Sequence, residues 1–421
     1  MLHVTSCLRG YCTCTSPPSA HSLMRYLAIT AVKHSCGDIM PHIGHCIVSD
    51  TETEPGNNKK NSETITYTSG VYVINNGTWN QNNGSLTYFD YETLKTQQLL
   101  NGAGGLGDTP NDAYTKGDTI FVVGSTDNMI FVLNKKDFSI IKAISTTGTM
   151  GEKEGYNPRH ITCYGNNIYF TTYGGYVGIL DAKTLEMSQI KYQVGSAPEG
   201  LTVGGTNSEP ILYVANSDYG YGNASISKIN LSSGTVEEIK NEKIQNPQEI
   251  VAYGDILYIL DWGHYDESWN QIDAGLYCYN NGVVTNLIEN ATGLGVGLVY
   301  LNGTTIVGYN LVTFNDPYGN TSKPTYSMFN TYTGTRTNLT LTGDQGYEIF
   351  SPAAIAVDPI RGYITIASRS MDPETGYTSY TLPGYANMYT SSGEYIKNSH
   401  FETGIEPHMI GFTFDKQTYT Y

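Results

Sequence analysis

The stretch Asn157–Met187, NPRHITCYGNNIYFTTYGGYVGILDAKTLEM, contains one complete copy of a pattern that the rest of the chain repeats. It begins at Pro158, runs through a short apolar segment and turns at Gly165–Asn167. Two further apolar segments follow, and the turn after the second is bracketed by Asp181 and Thr184, whose side chains can bond the nearby backbone. The apolar residues come in bursts of strand length, without a period of 3.6. The stretch therefore predicts consecutive antiparallel β-strands.

The same order of segments recurs along the chain to the C-terminus. The copies begin at Pro110, Pro158, Pro198, Pro247, Gly295, Pro352 and Pro407. Successive copies start 40 to 57 residues apart, and a four-stranded propeller blade occupies about 40–50 residues. The spacing predicts an all-β fold, a seven-bladed β-propeller of four-stranded antiparallel blades.

The seventh copy stops after its first strand, and its missing strands match two segments near the N-terminus. These segments are GVYVINNG from Gly70 and GSLTYFDYET from Gly84. An open ring would leave two unpaired strand edges, which promote aggregation. We therefore expect the strand from Pro407 to pair with the N-terminal hairpin, so that the two ends of the chain share the last blade.

Composition argues against several classes of partner. The chain has 421 residues, a formal net charge of −16 and a pI near 4.9. No cluster of Lys and Arg is present to displace the counterions of a phosphate backbone, so we expect no nucleic-acid partner. The same charge argues against docking on anionic lipid, and no apolar run approaches the about 20 residues that a membrane span requires.

Residues 1–62 lie outside the repeat, and we assign residues 63–421 to the propeller. The short apolar run Tyr26–Val32, followed by Cys36, resembles a degraded secretory or lipoprotein signal. An incorrect start site or a frameshift explains the same pattern equally well. Residues 1–62 are therefore interpreted as a leader and a disordered linker.

Polar and aromatic residues collect in two sets of loops that open on one face of a propeller. The loops that lead into the innermost strands carry Asn111, Asp112, Arg159, His160, Glu199, Gln248, Glu249 and His408. The loops between second and third strands carry Trp79, Tyr173, Tyr219, Tyr221, Trp262, His264, Tyr265, Trp269, Tyr309, Phe314 and Arg369. Exposed aromatic patches usually mark binding sites, and loops on a rigid scaffold commonly carry recognition. We predict a ligand-binding site on this face.

The densest of these loops is DWGHYDESWN, Asp261–Asn270. Its rings are suited to lie flat on a broad ligand while their polar tips bond its edges. The alternative is that Trp262 and Tyr265 only pack the loop onto its blade. Glu199 and Glu249 occupy positions in neighbouring blades. They are expected to anchor backbone amides near the channel or, alternatively, to form a carboxylate pair.

The sequence contains no motif for catalysis or for metal binding. No His, Asp or Glu spacing matches a zinc or calcium site, and no nucleophile elbow, P-loop or dinucleotide fingerprint is present. We therefore predict a protein that is not an enzyme, binds no metal and requires no cofactor.

The repeat resembles the YncE-like seven-bladed propellers in its Pro-led first strand, its (I/L)-Y-(V/I/F) second strand and its Asp/Asn…Thr/Ser turn. The segment VYVINNGTWNQNNGSLTYFD, Val71–Asp90, is similar to that of surface-exposed propeller lipoproteins of gut anaerobes, which include BtuG-type cobalamin binders. The resemblance implies an outer-membrane lipoprotein at the cell surface, or a secreted or periplasmic protein without the lipid. It further implies capture of a corrinoid (cobalamin, vitamin B12) and delivery to a TonB-dependent outer-membrane transporter.

Two other functions stay open. A propeller of this kind is also compatible with an enzyme of lactonase or quinoprotein-like type, which would need an acid–base pair or a metal cluster at the channel mouth. The aromatic face is equally suited to contact another protein, as in a surface-layer or docking module.

Overall fold

The structure, a computed structural model, describes residues 62–102, 104–268, 271–289, 293–300, 304–310, 324–330 and 333–420. Within these, residues 293–300, 304–310, 330 and 420 are described by their backbone alone. The proposed leader lies outside the described residues except for Ser62, where the first strand begins.

The described chain forms seven four-stranded antiparallel sheets and one small two-stranded sheet. Three N-terminal strands come first, β1 (Ser62–Asn75), β2 (Ser85–Asp90) and β3 (Thr96–Leu99). Blade 1 consists of β4 (Pro110–Lys116), β5 (Thr119–Gly124), β6 (Met129–Asn134) and β7 (Ile140–Ser145), followed by the short helix α1 (Thr146–Met150). Blade 2 consists of β8 (Pro158–Tyr164), β9 (Asn167–Thr172), β10 (Tyr176–Asp181) and β11 (Tyr192–Gln193).

The next two blades carry short additional elements between their second and third strands. Blade 3 consists of β12 (Pro198–Gly205), β13 (Pro210–Asn216), β14 (Ser225–Asn230) and β15 (Val236–Ile239), with a 3₁₀ turn at Asp218–Gly220. Blade 4 consists of β16 (Pro247–Tyr253), β17 (Ile256–Asp261), β20 (Gly275–Asn280) and β21 (Val283–Glu289). Between its second and third strands, β18 (His264–Tyr265) and β19 (Gln271–Ile272) form the two-stranded sheet.

The remaining strands complete the ring. Blade 5 consists of β22 (Gly293–Tyr300), β23 (Thr304–Asn310), β24 (Thr325–Asn330) and β25 (Thr335–Leu339). Blade 6 consists of β26 (Ser351–Val357), β27 (Ile364–Arg369), β28 (Pro383–Tyr389) and β29 (Phe401–Ile405). Blade 7 is made by β30 (Pro407–Thr420) together with β1, β2 and β3. The predicted seven-bladed propeller is therefore confirmed.

The closure of the ring is confirmed as well. The C-terminal β30 pairs antiparallel with β1, with Phe412 opposite Val71 and Ile410 opposite Val73. On its other sides β30 contacts β4 of blade 1 and β26 of blade 6. The contacts between β4 and β8, β8 and β12, and β12 and β16 continue the ring of innermost strands.

The core lies between successive blades. Val71, Val73 and Phe89 of blade 7, for example, pack with Ala367 and Met388 of blade 6. These positions alternate with residues on the opposite face of each strand, as the period of two requires. Each blade thus buries both of its faces, which gives the loops a rigid support.

The turns follow the predicted chemistry. The Asp181 carboxylate accepts hydrogen bonds from the backbone N–H groups of Lys183 and Thr184 at 2.8 and 2.7 Å. These bonds lower the pKa of Asp181. Asp90 makes the same bonds in blade 7, to Glu92 and Thr93.

Candidate functional site

The two predicted loop sets lie at the same end of the blades. In five blades, the residue that follows the second strand donates its backbone N–H to the carbonyl just before the innermost strand. These bonds join Ser125 to Thr109, Tyr173 to Asn157, Ser217 to Ala197, Trp262 to Asn246, and Asn76 to Glu406. We call this end of the propeller the loop face.

A β-bulge follows the first proline of the innermost strand in blades 1–4, 6 and 7. In β8, Pro158 pairs with Thr172 and Ile161 with Phe170, so that Arg159 and His160 together oppose Thr171. A bulge interrupts the alternation of side chains and redirects them. The sequence pattern predicts these polar residues in the loops that lead into the innermost strands. The structure shows instead that they lie inside these strands, at the bulges.

β-Bulges in the other innermost strands contain most of the remaining predicted residues of the first set. The bulges contain Asn111 in β4, Glu199 in β12, Gln248 in β16 and His408 in β30. Since the innermost strands surround the central channel, these side chains meet at its mouth on the loop face.

Arg159 and Glu199 connect blades 2 and 3 at the channel mouth. The Nε of Arg159 donates to Oε2 of Glu199 at 2.9 Å, and its Nη1 donates to Oδ1 of Asn111 in blade 1 at 3.1 Å. Glu199 is 3% exposed. The adjacent Gly200 permits close approach of blade 4, because a Cβ there would lie 2.8 Å from the carbonyl oxygen of Gln248. Three blades are thus joined around one buried carboxylate.

Three tyrosine rings extend the contacts of this ion pair along the loop face. The Arg159 guanidinium lies over the Tyr173 ring, 4.7 Å from its centroid, and the Tyr173 hydroxyl donates to Oε1 of Glu199 at 2.5 Å. Burial, followed by the Glu199 charge, raises the pKa of Tyr173. Tyr173 contacts Tyr219 edge-to-face with centroids 5.2 Å apart, and Tyr219 lies 6.2 Å from Tyr221. Glu199 is therefore satisfied by side chains, and it neither pairs with Glu249 nor anchors backbone amides among the contacts of the described chain.

His160 lies between two carboxylates. Its Nδ1 is 3.2 Å from Oδ2 of Asp112, and its Nε2 is 3.7 Å from Oε2 of Glu199. Burial alone would lower the pKa of His160, but the hydrogen bond and charge of Asp112, together with Glu199, outweigh it and raise the pKa. Asp112 also accepts the backbone N–H of Ile161 at 3.0 Å, which fixes its position.

Glu249 and His408 differ from the groups around them. Neither side chain has a hydrogen-bond or ion-pair partner within the described chain, although both are half-buried. Burial raises the pKa of Glu249 to about 7, with Asp112 adding to the rise and His160 opposing it. Burial lowers the pKa of His408 to about 3, and the charges of Arg159, His160 and Arg369 act in the same direction. The channel mouth therefore holds a carboxyl that titrates near neutrality and a neutral imidazole.

A second ion pair lies between blades 6 and 7. The Nε of Arg369, the last residue of β27, donates to Oε2 of Glu406, the residue before β30. The Arg369 guanidinium also lies 5.4 Å from the centroid of the Tyr380 ring. Arg369 thus repeats the arrangement of Arg159, with one carboxylate and one aromatic ring.

The exposed aromatic side chains of the described residues gather on the loop face, apart from Tyr67, Tyr253 and Tyr419. They are Trp79, Tyr156, Tyr219, Tyr221, Trp262, Tyr265, Tyr347, Tyr377 and Tyr380. Tyr221 is 82% exposed and Trp79 71%. We call this set the aromatic rim. Four of its members, Tyr156, Tyr347, Tyr377 and Tyr380, are absent from the sequence-based set, although their positions in long loops carried the same signal.

The blade 4 loop is built on a buried carboxylate. Asp261 accepts backbone N–H bonds from Gln245, Asn246 and Gly263 at 2.8, 2.9 and 2.7 Å, and burial raises its pKa to about 6. Beyond it, Trp262 and Tyr265 are 41% and 51% exposed. Both rings therefore project from an anchored loop instead of filling a core.

The other predicted residues are distributed as follows. Gln248 donates locally, from its Nε2 to Oδ1 of Asn246 at 2.6 Å, and His264 lies on β18 with its Nδ1 3.7 Å from Oδ2 of Asp273. Trp269 and Phe314 lie outside the described residues, and Tyr309 falls in β23, whose side chains are not described.

The described residues lack two further features. They contain no group of three or more His, Cys, Asp and Glu side chains arranged to hold a metal ion. No helix in this part of the chain combines the length and the apolar character that crossing a membrane requires.

The fold and site place the chain among β-propellers, and the comparisons agree with that class. No protein-family model matches the sequence, and no curated protein matches it. Solved structures do match. A candidate 6-phosphogluconolactonase from Bacteroides uniformis has a TM-score of 0.54 at 12% identity, over 82% of this chain and 100% of that one.

Two other solved structures give similar values. A hypothetical selenium-binding protein from Sulfolobus tokodaii has a TM-score of 0.54 at 11% identity, over 82% of this chain and 94% of that one. A functionally unknown protein from Desulfotomaculum acetoxidans has a TM-score of 0.52 at 12% identity, over 82% and 98%. At such low sequence identities, the structural similarity establishes the fold alone. The function must be inferred from the residues of the site.

Proposed function

We propose that the loop face captures a large, flat, polar small molecule, and that the protein acts as a binding protein without catalytic activity. The observation that carries this proposal is the aromatic rim around a polar channel mouth. Exposed aromatic patches of this kind mark binding surfaces, and recognition commonly resides on loops held by a rigid scaffold.

The arrangement of the rim favours a broad ligand over a compact one. Trp79 belongs to blade 7 and Trp262 to blade 4, so the order of blades puts them on opposite sides of the channel. A ligand that contacts both rings must extend across the mouth, where Glu249 and His408 have no protein partner in the described chain. Rings on the rim and polar groups at the centre suit a flat molecule with polar substituents.

The specific ligand that we propose is a corrinoid, with cobalamin as the form to test. Support comes from the resemblance of the repeat and of Val71–Asp90 to the cobalamin-binding surface propellers. The same resemblance supports a place at the cell surface as an outer-membrane lipoprotein, and transfer of the ligand to a TonB-dependent transporter. The acidic charge of −16 is compatible with a partner other than nucleic acid.

Calorimetric titration with cyanocobalamin tests this proposal, with haem as a second flat ligand. We expect Trp262→Ala and Trp79→Ala each to weaken cobalamin binding by about 1–3 kcal/mol, the range for an aromatic contact in a binding surface. Tyr253→Ala is the matched control, because Tyr253 is 42% exposed at the end of β16, away from the loop face. No heat with cobalamin would reject the ligand, and equal losses in all three variants would reject the site.

Glu249 favours a second candidate function, hydrolysis of a lactone. A carboxyl with a pKa of about 7 and no hydrogen-bond partner in the described chain is suited to act as a general base near neutral pH. The B. uniformis structure, named as a candidate lactonase, shares the fold alone. Lactone turnover that is lost in Glu249→Gln would support this function, and absence of turnover by the wild-type protein would reject it.

A further inference from the structure

A cavity of about 370 Å³ opens between blades 3 and 4 on the loop face. One wall is the blade 3 loop with Gly220, Gly222 and Asn223, and the other is the segment that leads into β16, with Asn241 and Gln245. Small-molecule pockets commonly measure about 300–1,000 Å³, so this cavity suits a compact ligand. It is separate from the ion pairs at the channel mouth.

Both walls are held by hydrogen bonds of their own. The backbone N–H of Asn223 donates to Oδ2 of Asp218 at 2.9 Å, and the backbone N–H of Tyr221 donates to the Asp218 carbonyl at 2.9 Å. On the other side, the backbone N–H of Ile244 donates to the carbonyl of Asn241 at 3.0 Å, and the backbone N–H of Gln245 donates to Oδ2 of the buried Asp261 at 2.8 Å. The cavity is therefore formed before a ligand arrives, which reduces the entropy lost on binding.

The lining selects an uncharged polar ligand. Lys240 and Glu242 contribute one charge of each sign to the lining, and Lys240 also forms an ion pair with Glu238 at 3.5 Å, so the cavity has no cluster of like charges to attract an ion. Asn223, Asn241 and Gln245 supply amide groups that both donate and accept hydrogen bonds. Buried Ala224 and Ile244 supply a small apolar surface.

Tyr221 stands at the edge of the cavity. It lies between the two lining glycines, which have φ values of 76° and 102° that other residues rarely adopt. Its ring is 82% exposed and contacts Tyr219 at a centroid distance of 6.2 Å. Because its neighbours in the chain on both sides line the cavity, an exposed ring at this position is close enough to cover one apolar face of a ligand bound there.

We propose that this cavity binds a neutral saccharide unit, with one sugar face on the Tyr221 ring and the hydroxyl groups bonded to Asn223, Asn241 and Gln245. A sugar ring combines an apolar face with hydroxyl groups at its edge and carries no charge, which matches the lining. This saccharide site goes beyond the proposed capture of a flat ligand and does not depend on it.

Titration with a panel of neutral mono- and oligosaccharides tests the saccharide site, followed by NMR or calorimetry on variants. We expect Tyr221→Ala to weaken binding about tenfold or more, as for an aromatic contact to the ligand, and Tyr221→Phe to retain it because the ring remains. Asn223→Trp should block the cavity and abolish binding. Tyr253→Ala, at the other end of blade 4, is the control.

Two results would overturn the saccharide site. One is that no neutral saccharide binds, and the other is that a saccharide binds equally well to Tyr221→Ala and Asn223→Trp. Circular dichroism and thermal unfolding establish that the variants are folded. Cobalamin titration separates the two proposals, because Asn223→Trp should lose the saccharide and keep cobalamin, whereas Trp79→Ala and Trp262→Ala should weaken cobalamin binding and keep the saccharide.

Discussion

The Nε of Arg159 lies 2.9 Å from Oε2 of Glu199, and this contact joins blade 2 to blade 3 at the channel mouth. The Glu199 carboxylate also accepts the Tyr173 hydroxyl through its other oxygen. Because Glu199 is buried, its charge depends on these two donors in place of water. The pair therefore links the stability of two blades to the geometry of the candidate site.

We predict that Glu199→Ala lowers the free energy of unfolding by about 3 kcal/mol. The substitution removes the carboxylate that accepts hydrogen bonds from the Arg159 guanidinium and the Tyr173 hydroxyl, and water has little access to replace it there. Urea unfolding followed by circular dichroism measures this change. Glu237→Ala is the control, because Glu237 is exposed and its pair with Lys228 lies on the surface at 3.8 Å. A loss at Glu199 no larger than at Glu237 would contradict the structural role of the pair.

Glu249 should make stability depend on pH. Burial raises the pKa of Glu249 to about 7 from its ordinary value of 4.5. Between these values the folded state binds more protons at this carboxyl than the unfolded state does, so its contribution to stability is present at low pH and is lost as the pH rises to about 7. The raised pKa of His160 acts in the same direction above its ordinary value of 6.5.

Glu249→Gln isolates this contribution, because the amide keeps the shape of the side chain and does not titrate. We expect the variant to gain stability over the wild type by up to about 3 kcal/mol at pH 8, and to equal it at pH 4.5. Urea unfolding at the two pH values measures the difference. A constant difference between the two proteins across this range would show that Glu249 titrates normally.

His408 should stay neutral in mildly acidic solution. Burial lowers its pKa to about 3, with help from the positive charges of Arg159, His160 and Arg369. Below the ordinary value of 6.5 the unfolded state binds the proton and the folded state does not, so this group removes stability as the pH falls.

NMR of the imidazole carbons measures the titration of His408 directly. We expect its signals to stay constant between pH 8 and 5, while those of His160, whose pKa is raised above its ordinary value of 6.5, report a protonated ring at the lower end of this range. Assignment comes from His408→Gln and His160→Gln. A His408 signal that moves with a midpoint near pH 6.5 would show that the ring is solvated by water and that burial does not lower its pKa.

The parts of the fold that were predictable are those set by local sequence. The prolines at the start of the innermost strands and the Asp181 turn act within a few residues, so a single copy of the repeat reveals them. The bulges depend on pairing with the next strand, as where Thr171 faces both Arg159 and His160. Sequence patterns do not show such pairing, so these side chains were assigned to loops.

The site was predictable in its residues more than in its contacts. Trp79 and Tyr221 were identified because large rings stand out in polar loops, and both are exposed on the loop face. The bond between Arg159 and Glu199 was missed because the two residues are 40 positions apart and meet only when blades 2 and 3 pack together. Tyr377 and Tyr380 were missed because they lie spread among turn residues in one long loop.

The shared blade should make the C-terminal strand necessary for folding. Ile410, Phe412 and Phe414 of β30 are buried against blades 6 and 7. Deletion of residues 407–421 removes these side chains and exposes the edge of β1, and an unpaired edge of that length promotes association between molecules. We expect this truncated protein to aggregate or to unfold at far lower urea concentration than the full chain.

Deletion of residues 416–421 is the matched control for this truncation. Residues 416–420 pair with β1 before Gly70, where β1 no longer pairs with β2, so their loss leaves the four-stranded part of blade 7 intact. The ion pair of Asp415 with Lys135 at 3.4 Å is also retained. We expect this protein to remain soluble and monomeric in size-exclusion chromatography, with an unfolding midpoint near that of the full chain. Equal stability of the two truncated proteins would mean that the ring does not need its C-terminal strand to close.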